Sequence, residues 1–144
     1  MAFETYIVDK FLYQVLATDT VLCGTTPPLI NGVFKTLADQ NTKNPYIVFT
    51  FQTATDVNTM NQFRVFSDFS YLIKVIGLDH SLSNIKTAAN RMDDLLTNKK
   101  FWVTADGTML SIVRQSIFEL MEQEQGGNQY VQIGGTYRIL AQAS

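Results

Sequence analysis

The chain's single histidine, His80, and single cysteine, Cys23, are where nucleophilic or metal chemistry would have to start. His80 stands beside Asp79 in a turn, but no serine-in-glycine elbow or other nucleophile motif accompanies the pair. It reads as a turn residue. A structural zinc takes roughly four His, Cys or carboxylate ligands, which one His and one distant Cys do not supply, so no metal is expected. Cys23 cannot close an internal disulfide and reads as a small buried hydrophobe. Asp93-Asp94 resembles an acid–base pair, yet adjacent helical positions diverge by about 100°, so the two carboxylates read as solvated surface charges. Gly126-Gly127 and Gly134-Gly135 lack both the lysine of a phosphate loop and the spacing of a dinucleotide fingerprint. The expectation is a protein with no catalytic residue and no cofactor, not an enzyme.

What remains is shape and surface. A chain of 144 residues with 46% hydrophobic content forms one domain, residues 1–144, with a core that needs no staples. Charged residues make up only 17% and aromatics 12%, which leaves much uncharged surface and points to a subunit of an assembly. A net charge of −2 gives no sequence-independent attraction to phosphates. No apolar window approaches the ~18 residues of a membrane span, and the start, MAFETYIVDKF, does not read as a signal peptide. A soluble, cytosol-made chain with no membrane partner is expected.

The elements follow from periodicity. Phe3, Ile7, Val8, Phe11, Leu12, Val15 and Leu16 recur at helical spacing and predict a helix from about Phe3 to Ala17. Tyr6 and Tyr13 fall on its other side, either as ordinary surface or as a subunit contact. Gly24 to Asn44 reads as loop with one brief strand at Ile30 to Phe34. Asn44-Pro45 then forces an extended start to the strand Tyr46 to Phe51. The polar segment Thr53 to Asn61 reads as a long hairpin loop or arm, and Asp56, Asn58 and Met60 on it are candidates to touch a neighbouring subunit. Phe63 to Gly77 is a long strand with Phe69, Tyr71, Ile73 and Val75 on one face and a second face that is partly covered. Ser81 or Ser83 can cap a second helix marked by Leu82, Ile85, Ala89, Met92 and Leu96, ending near Asn98.

Asp106-Gly107 predicts a two-residue hairpin turn, followed by a strand running to about Met121. Glu119, Glu122 and Glu124 near its end either blunt an edge or face a stacked partner. The last strand spans Tyr130 to Ile139, and its Gly134-Gly135 predicts a bulge or a close backbone approach. The fold class is therefore α+β: a mixed or antiparallel sheet of about four to five strands packed by two main helices, with a long hairpin loop.

The order of these segments resembles the tail terminator or tail-completion proteins of long, non-contractile-tailed bacteriophages. The resemblance is carried by Val15-Leu16-Ala17-Thr18-Asp19 through Leu22, Asn44-Pro45-Tyr46-Ile47-Val48-Phe49, the strand Phe69 to Ile76, the helix Ser81 to Leu96 with Asp93-Asp94-Leu95-Leu96, and Gly135-Thr136-Tyr137-Arg138-Ile139. It implies a virion subunit in the tail or neck, assembled in the host cytoplasm as a sixfold ring. Such a ring binds the tail tube protein, stops tube growth and offers a surface to the head-tail connector proteins, with DNA passing through it and no sequence-specific nucleic-acid contact. Two other readings stay open: a head-closure or adaptor subunit, and a carrier enclosing an apolar ligand near Phe69, Tyr71 and Trp102.

Overall fold

Ile7, Val8, Phe11, Leu12 and Leu16 are all buried, as the helical stripe requires, on α1 (Glu4–Ala17). The computed structural model describes residues 4–24, 28–38, 45–60, 64–78, 82–97, 100–123, 127 and 129–143. After α1 come a single helical turn, α2 (Thr20–Cys23), and the strands β1 (Val33–Lys35), β2 (Tyr46–Asn58) and β3 (Arg64–Leu78). Helix α3 (Leu82–Thr97) precedes β4 (Lys100–Val103), β5 (Gly107–Gln123) and β6 (Gln129–Ala143).

The strands form one six-stranded sheet in the order β1-β2-β3-β6-β5-β4, rather than four or five strands. The count rises because both short edge pieces form: β1 answers to the brief strand expected at Ile30 to Phe34, and β4 is the strand that precedes the expected hairpin turn. β1 starts later than Ile30 and lies parallel to β2, while every other pair is antiparallel. Both long helices pack on the face that carries Phe69, Tyr71, Ile73 and Val75. On the opposite face Ser70, Leu72, Lys74 and Ile76 are half-buried.

The predicted loop at Thr53 to Asn61 is instead largely strand. β2 continues to Asn58 and pairs with β3 as far as Asn58 opposite Arg64. Thr53, Thr55 and Val57 are β-branched and no Gly or Pro interrupts them, so the ladder propagates despite the polar composition. The β4–β5 turn also falls one residue early. Thr104 and Gly107 exchange backbone hydrogen bonds of 2.8 and 3.3 Å, leaving Ala105 and Asp106 as the central residues. Gly107 itself has φ +156°, and a Cβ there would lie 2.3 Å from the Gln142 carbonyl oxygen.

Of the two possibilities at Gly134-Gly135, the close backbone approach is the one realised, and β6 itself runs through both glycines without a bulge. A Cβ on Gly134 would lie 2.0 Å from the Ile73 carbonyl oxygen, and one on Gly135 2.7 Å from that of Ser116. A bulge does occur on the neighbouring strand β5, where Gln115 interrupts the register between Arg114 opposite Tyr137 and Ser116 opposite Thr136. Asp79, His80, Ser81, Asn98 and Gly126, like Phe3 and Asn61, lie outside the described residues.

Candidate assembly surfaces

Two buried tyrosines hold the helices to the sheet. Tyr71 of β3 and Tyr137 of β6 stand directly opposite each other in the ladder, and both are essentially inaccessible. A buried phenol needs a partner, and each finds a helix carboxylate: the Tyr71 hydroxyl donates to Asp9 of α1 at 2.7 Å, and that of Tyr137 to Asp93 of α3 at 2.7 Å. A cation completes each group, Lys35 on Asp9 and Arg114 on Asp93, the latter at 3.1 Å. Burial first, and the carboxylate hydrogen bond second, push both phenols far above the ordinary tyrosine range. Asp93 is thus a structural tether rather than a solvated surface charge, while Asp94 is exposed.

A third carboxylate fixes the junction of the helices. Asp19 caps α2 by accepting from the Leu22 amide at 3.0 Å, and receives Arg91 of α3 through Nε at 3.0 Å and Nη2 at 2.8 Å. Hydrogen bonding from Arg91 holds its carboxyl below the usual value, against the opposing effect of burial. Cys23 is half-buried beside it, and burial together with the Asp19 charge pushes its thiol up, away from the reactive thiolate. Of the aromatic residues offered as pocket walls, Phe69 and Tyr71 are buried in the core. Phe69 and Tyr71 pack on each other and on Phe51, whereas Trp102 lies tilted against Phe11, the ring centroids 5.4 Å apart, and lines an open cleft with Gln14, Thr18, Asp19 and Leu95.

Neither a protein-family model nor a curated protein sequence matches the chain. Among solved structures it is similar to a chain of the virion of a native gene transfer agent (GTA) particle, with TM-score 0.61, 14% sequence identity and 91% of each chain covered. The two share a fold over nearly their whole lengths.

Of the candidate interface residues, Tyr6 and Tyr13 are both about half exposed on α1, and Lys10 lies 5.8 Å above the Tyr6 ring. Asp56 and Asn58 are strand residues of the β2–β3 hairpin, Asp56 accepting from Ser67 at 2.8 Å, and Met60 at the tip is fully exposed. Glu119 and Glu122 are exposed on β5, but the two-residue repeat of a strand sends them to opposite faces, so they do not form one acidic patch. Glu124 lies outside the described residues.

The larger feature was not legible from residue types. β4 pairs with β5 only up to Ser111, so from Ile112 to Gln123 the β4 side of β5 carries no strand among the described residues. Along this stretch Val113, Ile117, Leu120 and Met121 are exposed, Ile117 to 70%. β1 likewise covers β2 only over Ile47–Phe49, so Thr50 to Asn58 carry no strand on that side among the described residues. The signal available in the sequence was that apolar residues occupy both phases of β5 in a chain with too few helices to cover both faces.

Proposed function

We propose that this protein is a structural subunit of a phage-like virion: it forms a ring at the end of the tail tube, stops tube polymerisation and offers the surface that joins the head. The observation that carries this reading is the shared fold with a chain of the gene transfer agent virion, over 91% of both chains. The segment order that resembles the tail terminator proteins supports it, as do the exposed apolar strand and the two exposed tyrosines, which suit repeated contacts with copies and stacked neighbours. In this role the ring is sixfold, its partners are the tail tube protein and the connector, and the protein turns over no substrate.

Deleting the gene from the particle that encodes it and imaging the products tests the reading. Overlong, headless tails are expected. Tails of normal length that fail to join heads would instead assign the protein to the adaptor layer, and unchanged particles would overturn both roles.

A further inference from the structure

Among the described residues the sheet has two open edges, and they lie at opposite ends. The register runs level through Ala54, Phe69, Ile139 and Ile112, and again through Phe49, Ile73, Gly135 and Ile117. The open part of β2 (Thr50–Asn58) is centred on the first row and belongs to the end with the β2–β3 hairpin. The open part of β5 (Ile112–Gln123) is centred near the second row and belongs to the other end. An unpaired strand presents a row of backbone donors and acceptors and is a template for another chain. Gln115 and Gln52 interrupt the two ladders as bulges, but neither open stretch contains Pro or Lys.

We infer that these two edges join copies of the chain, the open edge of β5 on one subunit pairing with the open edge of β2 on the next. Three observations select this occupant. Three antiparallel steps separate β2 from β5, so a neighbour in the same orientation brings its β2 antiparallel to β5, the stronger ladder. Twofold pairing of β5 with β5 leaves β2 open, and pairing of β2 with β2 leaves β5 open, whereas one head-to-tail contact satisfies both and can close into a ring. The side chains fit as well: Ile117 and Ala54 both project to the helix-bearing face, so the same face continues across the junction. The two rows differ by four residues of β6, which staggers neighbouring subunits by ~13 Å along the strands.

This contact rests on the ring reading, and its test separates the two. In a Cys23→Ser background, Ala54→Cys and Ile117→Cys are made singly and together, with Phe51→Cys and Asp56→Cys, which share Ala54's face, in place of Ala54→Cys to sample neighbouring registers. Concentrated protein and particles assembled from each variant are oxidised. The expected result is a ladder of linked species beyond the dimer for a double variant, a dimer and nothing larger when the two single variants are mixed, and monomer from either alone. Self-linking of Ile117→Cys alone would overturn the inference in favour of a twofold contact, and so would absence of linkage from every pair in protein and particles alike. A second variant, Ile117→Lys with Met121→Lys, changes exposed side chains and should keep its melting temperature while losing assembly; normal assembly by it would also overturn the edge contact. Rings that form without linkage leave the virion role standing, whereas linked assemblies missing from tails would remove the virion role and keep the edge contact.

Discussion

β5 holds two halves of similar composition and opposite fate. Met109 and Ile112 are buried under the helices, whereas Ile117 and Met121, a few residues on and also on the helix side, are mostly exposed. The residue types hardly differ. What differs is what lies above: the buried half sits beneath the helices, which Tyr71 and Tyr137 fix to the sheet through Asp9 and Asp93, while the distal half extends past them. One half contributes to the stability of the monomer, and the other is exposed apolar surface.

Substitutions can break this contrast, and the largest effect is expected away from both halves. Gly134→Ala drives a Cβ into the Ile73 backbone, which cannot yield as a flexible side chain would. A loss of about 4 kcal/mol is expected, read as a lower midpoint in urea unfolding; a near-neutral result would show that β3 and β6 are not so closely apposed. Ile112→Ala should cost about 3 kcal/mol because it opens a cavity in the core. The same truncation at Ile117 should cost under about 0.5 kcal/mol, so equal losses at the two sites would erase the distinction between the halves.

Tyr137→Phe should cost about 2 kcal/mol, since it removes a buried hydrogen bond to a charged group and leaves Asp93 to Arg114 alone. The tyrosines also set the alkaline limit. Both phenols titrate higher in the folded state than in the unfolded chain, so their contribution is complete below about pH 10 and is lost as pH rises toward the folded values, at about 1.4 kcal/mol per pH unit for each. A stability–pH curve should therefore fall above pH 10, and Tyr71→Phe and Tyr137→Phe should each flatten it. An unchanged slope would contradict the tethers.

The smallest change in stability is expected from Tyr6→Ser with Tyr13→Ser, because both rings are half in water. Thermal melting should barely move while ring formation, followed by sedimentation or electron microscopy, weakens. Normal assembly would remove α1 from the subunit contact.

The sequence by itself determined α1, α3, the start of β2 and the long strands β3, β5 and β6. Their signals are local: a helical stripe from Ile7 to Leu16, and the alternation of Phe69, Tyr71, Ile73 and Val75. It also marked Gly134-Gly135 as a place where backbones meet. Tertiary structure alone decided the extension of β2 through Thr53 to Asn58, because a polar segment becomes strand only when β3 is there to accept its hydrogen bonds. It decided that Asp9, Asp19 and Asp93 are tethers, since their partners Tyr71, Arg91 and Tyr137 are remote in the chain. It decided which half of β5 is core. Periodicity tells which side chains share a face, but burial depends on what is packed against that face, and that comes from distant parts of the chain or from another subunit.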